Sequence, residues 1–104
     1  MSTPVTVTIS HELGKLEARR RLREGFGSIR QQLAGGSISL AAIDETWDGD
    51  RMRFEATALG QRISGHLDVG ESSVIVEIML PRLLGRLAKL ISRRVSNEGQ
   101  LLLK

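Results

Sequence analysis

The chain contains no cysteine and no tyrosine, and only two prolines, two histidines and three aromatic residues in 104 positions. Without thiols there is no disulfide framework, no thiolate metal site and no cysteine nucleophile, and a reducing cytoplasm is the expected compartment. Aromatic side chains at 3% supply no stacking platform for single-stranded nucleic acid. No stretch approaches the ~18 uninterrupted apolar residues of a membrane span, and the opening MSTPVTVTIS has neither the charge nor the apolar run of a secretory signal. The length suits one domain, read as residues 1–104, and excludes a Rossmann enzyme, an α/β-hydrolase or a multi-domain machine.

Leu, Ile, Val and Phe together number 31, well above the content at which chains stay disordered, so a folded core is expected. The isoelectric point near 10.2 suggests a nucleic-acid binder, yet the formal net charge is only +3. With no Cys or Tyr titrating between His and Lys, a small basic excess carries the isoelectric point far upward. The distribution is more informative. Residues 1–35 carry +3, residues 36–80 carry −5 and residues 81–104 carry +5, so the ends are basic and the middle is acidic.

The charge blocks coincide with changes of hydrophobic period. Val5, Val7 and Ile9 alternate with Thr6 and Thr8, which predicts a strand over about residues 4–9. Gly14 stands at an N-cap position with Leu13 placed to meet Ala18 as a hydrophobic staple, and a helix is expected from Lys15 to Ala34. Its apolar stripe is Ala18, Leu22, Phe26, Ile29 and Leu33; Gly25 and Gly27 suggest a kink, and Gly35-Gly36-Ser37 ends it. From Ile38 to Leu80 the period becomes two, broken at Asp48-Gly49, Gly60-Gln61 and Gly70-Glu71, which reads as an antiparallel meander. One face carries Met52, Phe54, Ala56, Ile63, Leu67, Val74, Val76 and Ile78. The other carries Arg51, Arg53, Glu55, Arg62, His66, Asp68 and Glu77, and should meet water. Pro81 is placed to open a second helix with Leu84, Leu87, Ala88, Ile91, Val95 and Leu102 as its buried stripe. The expected architecture is α+β: one two-layer domain of order β-α-β-β-β-β-α, an antiparallel sheet of four to five strands with both helices on one face.

Ser10-His11-Glu12-Leu13-Gly14 followed by Glu17-Ala18 and Arg20, then Trp47-Asp48-Gly49-Asp50 leading into Phe54, then Gly65-His66-Leu67-Asp68-Val69 and Leu80-Pro81, resembles the small polyhydroxyalkanoic acid (PHA) system proteins. These are bacterial proteins associated with PHA storage granules and their regulation. The resemblance extends over nearly the whole chain. It implies a cytoplasmic, granule-associated accessory protein with no catalytic residue to carry over.

Few residue patterns point to chemistry. Asp44, Asp48, Gly49 and Glu55 nearly match a calcium loop, but the flanks alternate with period two, where that loop needs helices. His11 and His66 lack a second ligand at metal spacing, and neither a nucleophile elbow nor a phosphate loop is present, so no metal, cofactor or catalytic role is expected. The stronger signals lie in the C-terminal helix. Arg82, Arg86, Lys89 and Arg93 step by four, three and four and form a candidate basic face, with Arg19, Arg23 and Arg30 a thinner counterpart on the first helix. Leu83, Leu90 and Leu101 form a candidate apolar ridge beside the core stripe. The first reading is therefore a non-enzymatic protein that binds a PHA granule or a PHA-system protein, with a homodimer through the C-terminal helix as a further candidate. The rival is a small nucleic-acid-binding or regulatory module using the basic face, disfavoured by the scarcity of aromatics. A small-ligand pocket between helices and sheet is a third class, for which a chain of this length leaves little volume.

Overall fold

The computed structural model describes the backbone of residues 2–34, 40–58 and 60–103 and the side chains of residues 4–25, 43–57 and 60–103. Along the chain run β1 (Ser2–Ser10), α1 (Lys15–Ala34), β2 (Leu40–Asp48), β3 (Arg51–Ala58), β4 (Gln61–Val69), β5 (Ser73–Pro81), a 3-10 helix (Arg82–Leu87) and α2 (Ala88–Leu102). The five strands form one antiparallel sheet in the order β1-β5-β4-β3-β2, so the first strand pairs with the last and the meander fills the rest. The α+β architecture and the β-α-β-β-β-β-α order agree with the sequence reading.

Glycines make the turns of the meander. Gly49 at φ +62° opens the β2–β3 turn, and Gly60 at φ +77° closes the one between β3 and β4, where a side chain would be strained. The register then aligns residue types into rows across the sheet. Val7, Val76, Leu67, Met52 and Trp47 make one apolar row, and on the opposite face Thr8, Ile75, Asp68, Arg51 and Asp48 make a largely polar one. Ile9, Met52, Val74 and Leu80 are almost wholly buried, and Ala18 and Leu22 of α1 and Leu84 and Leu103 of the C-terminal segment cover them from the helical layer.

α1 spans the expected residues and continues without a break through Gly25 and Gly27. Gly25 has a packing reason: a β-carbon there would collide with the Cδ2 methyl of Leu102. Gly99 plays the same part in α2, where the Cδ1 methyl of Ile9 occupies the space a side chain would need. Two glycines thus let α2 lie close against β1 and against α1.

Two expectations need correction. Pro81 ends β5 and precedes a 3-10 helix, and regular α-helix starts only at Ala88. Phe54 and Ile91, expected in the core, are only half-buried because both border a space between the helices. The side chains of Phe26, Ile29, Arg30 and Leu33 lie outside the described residues, as do Gly35, Gly36, Ser37 and Ile38.

Candidate functional site

The C-terminal segment carries the candidate binding residues, and its change of helix type rearranges them. Successive residues turn by about 100° in an α-helix and about 120° in a 3-10 helix. Arg82 and Arg86 consequently diverge by about 120°, where a continuous α-helix would separate them by about 40°. Arg82 borders a shallow depression with Gln61, Arg62 and Met79, whereas Lys89 and Arg93 border another beside Thr6 and Thr8 of the edge strand β1. All four cations are exposed, and none has an ion-pair partner among the described residues. The expected single basic face is therefore divided: Lys89 and Arg93 lie together beside β1, while Arg82 and Arg86 point to different parts of the surface.

Leu83, Leu90 and Leu101 are 71%, 40% and 65% exposed. Leu90 and Leu101 project on nearly the same side of α2 but lie about 16 Å apart at 1.5 Å per residue, with Arg94 and Asn97 between them. Leu83 belongs to the 3-10 helix. The ridge is thus a set of separate exposed leucines interleaved with polar side chains.

On α1, Arg19 donates to Asp50 at 3.1 Å and Arg23 lies 5.8 Å from the centre of the Trp47 ring, so both tie the helix to the β2–β3 hairpin. Trp47 in turn donates its indole N–H to Glu45 at 3.1 Å. Asp44, Asp48 and Glu55, the near-match to a calcium loop, stand along the same hairpin with Asp44 opposite Glu55 in register. Among the described residues no three His, Asp or Glu side chains converge as a metal set.

His11 does more than its position before a helix cap suggested. It is buried at 7% exposure, its Nε2 lies 3.1 Å from the Gly70 carbonyl oxygen, and its Nδ1 accepts the Leu13 N–H at 3.2 Å. Only the tautomer protonated at Nε2 satisfies both contacts. The backbone N–H of His11 donates to Ser72, and the Lys15 N–H at the start of α1 donates to the Glu71 carboxylate at 3.3 Å. Asp50 joins the same corner through Lys15 and Arg19. The Ser10–Gly14 and Trp47–Asp50 segments, far apart in the chain, thus converge on the β4–β5 turn and the first turns of α1. The signal for such a clamp was a lone histidine between strand and helix, which is also the signature of an unremarkable surface residue.

His66 faces the polar side of the sheet with Nε2 3.8 Å from Asp68. The Asp68 carboxylate receives two hydrogen bonds from Arg51, at 2.7 and 3.1 Å, and these hold its proton affinity below the usual aspartate range while raising that of Arg51. Glu17 is lowered for the same reason by Arg20 on the next turn of α1.

The internal volume is small, as expected, but it is gathered in one place. Between the apolar sheet face and α2 lies a chamber of about 130 Å³, walled by Met52, Phe54, Leu67, Val76, Ile91 and Val95. α2 packs chiefly over β1, and α1 packs over β2 and β4. Gly65 in β4 makes room for the Phe54 ring, whose Cζ stands 2.7 Å from where a β-carbon would be.

A single antiparallel sheet with two helices on its apolar face, and with one histidine and several acids engaged in holding turns, defines a small α+β domain of the sheet-and-two-helix class. The chain belongs to the family described as "Putative polyhydroxyalkanoic acid system protein", whose model matches residues 5–102. No curated protein matches it. Among solved structures it is similar to the crystal structure of TTHA0849 from Thermus thermophilus, with 12% identity over 97% of this chain and 92% of that one and a TM-score of 0.41. No helix of the described residues is long and apolar enough to cross a membrane.

Proposed function

We propose that this chain is a non-enzymatic accessory protein of the bacterial PHA storage system, cytoplasmic and granule-associated, that docks on the granule through residues 82–102. The observation that carries the reading is the coincidence, in one segment, of exposed Leu83, Leu90 and Leu101 with exposed Arg82, Arg86, Lys89 and Arg93. Separate leucines spaced along a helix with cations between them suit adsorption at a broad apolar–water boundary, such as the surface of a polyester inclusion. A complementary protein interface calls instead for a contiguous apolar patch. The non-enzymatic part is supported by the use of both ring nitrogens of His11 on backbone groups.

Co-sedimentation with purified granules tests this. Leu83→Asp combined with Leu101→Asp is expected to abolish co-sedimentation while leaving the melting temperature unchanged, because both side chains are largely in solvent. Binding should persist when salt rises from 50 to 500 mM. A steep loss with salt would favour a phosphate-bearing partner such as nucleic acid. Loss of binding after granule proteins are stripped away would identify a protein partner and overturn the surface reading.

A further inference from the structure

The chamber between sheet and α2 has no place in the docking reading, and its chemistry is distinctive. Its walls are aliphatic and aromatic side chains from all five strands and both helices, and the charged residues along it, Arg94 and Glu98 of α2, are half-buried. Leu90 lines the chamber and is also 40% exposed, so the space reaches the surface beside that residue. Ile91 and Val95, on the core stripe of α2, are half-exposed for the same reason.

Water is a poor occupant of such a space, since an ordered water needs two to four polar partners and an apolar cavity of similar size stays dry. A cavity of roughly 150 Å³ accepts benzene, which has six heavy atoms. A chamber of about 130 Å³ therefore holds about five or six carbons. Because its lining crosses from β1 to β2, the space is drawn out along the sheet and suits an extended chain better than a ring.

We propose that the chamber is a binding site for one short linear alkyl chain of an amphiphile, whose polar head stays in water at the mouth beside Leu90, Arg94 and Glu98. The inference stands apart from granule docking. It needs only the chamber, and Leu83→Asp with Leu101→Asp, which abolishes docking in that reading, should leave alkyl binding intact.

The test is a titration of the purified chain with n-alkanoates from butanoate to dodecanoate, below their micellar concentrations, followed by methyl NMR. Each added methylene should tighten binding about fourfold until roughly six carbons are enclosed, and longer chains should gain nothing more. Methyl signals of Val76, Ile91 and Val95 should shift with octanoate. The n-alcohols of equal tail length should bind within a few-fold of the alkanoates, since the head stays in water and the tail alone is enclosed. Val95→Phe should fill the chamber and weaken octanoate binding at least tenfold, and Ala56→Leu should do the same from the sheet side if the first variant fails to fold. Affinity that climbs without a plateau through dodecanoate, unshifted chamber methyls at millimolar octanoate, or a folded Val95→Phe that binds as tightly as the parent would each overturn the proposal. Alcohols that fail to bind would overturn the part that leaves the head in water.

Discussion

Replacing His11 separates its structural role from any chemical one. In His11→Ala two contacts vanish together, the one to the Gly70 carbonyl and the one from the Leu13 N–H. A net hydrogen bond contributes about 0.5–1.5 kcal/mol, and a buried partner left unmet costs about 1–3 kcal/mol. Gly70 and Leu13 are both half-buried, so water can reach them in part and the lower values apply, near 1 kcal/mol each. Removing the imidazole leaves a void worth about another 1 kcal/mol. The sum, about 2–3 kcal/mol, is a large share of the ~5–15 kcal/mol that holds such a domain together. At roughly 4–8 °C per kcal/mol for a domain of this size, the melting temperature should fall by about 10–20 °C. His11→Asn, whose side-chain oxygen can still accept the Leu13 N–H, should recover about half of that loss. His66→Ala, on the polar sheet face, should stay within about 0.5 kcal/mol of the parent. Thermal melts followed by circular dichroism measure all three. A His11→Ala protein melting within about 2 °C of the parent would refute the clamp.

Gly65→Ala should destabilise by about 1–3 kcal/mol, because the added methyl would stand 2.7 Å from the Phe54 ring and crowd the Glu77 carbonyl; thermal melts check it against Gly49→Ala, which meets open space and costs only its backbone strain. The Arg51–Asp68 pair sets an acid limb. The folded state holds the Asp68 proton more weakly than the unfolded chain does, so the stabilisation is complete above the ordinary aspartate range near pH 4 and is lost as the pH falls through the lower folded value. Its size is under about 1 kcal/mol because both side chains are over 40% exposed, and Arg51→Ala should flatten the stability difference between pH 6 and pH 2. Leu90→Asp should keep the fold with a modest drop in melting temperature, since its 40% exposure lets the carboxylate reach water; light scattering before and after reports whether it also joins two copies.

Much of the fold is legible in the chain, for reasons that can be named. The alternation of Val5, Val7 and Ile9 marks β1, and glycine-containing breaks at 48–49, 60–61 and 70–71 divide the meander where the structure turns. The limits of α1 are read correctly because an apolar stripe at helical spacing is bracketed by glycines. Pairing of β1 with β5 leaves no local trace, since contacts between ends of a chain carry no periodicity. The residues after Pro81 show a helical period whether they wind as α or as 3-10 over two turns, so the sequence pattern places four cations on one face that the backbone then splits. His11 hides because its partners are carbonyl and amide groups, which every residue owns. The chamber hides because volume is a property of how layers meet: the apolar count is ample, but the sequence pattern does not carry the placement of α2 over β1 and of α1 over β2 and β4.

The pairing of β1 with β5 also bears on how the chain reaches this state. Val7 lies opposite Val76, so 69 residues separate partners that must meet in one ladder. The hairpins from β2 to β5 close over two or three intervening residues and can assemble as they leave the ribosome. β1 is made first and waits longest: until β5 has been synthesised, as far as residue 81, it has no strand to pair with, and its apolar face stands in water. Closing so long a loop before any long-range contact repays it slows the final step, and the last strand made completes the sheet on which the first depends.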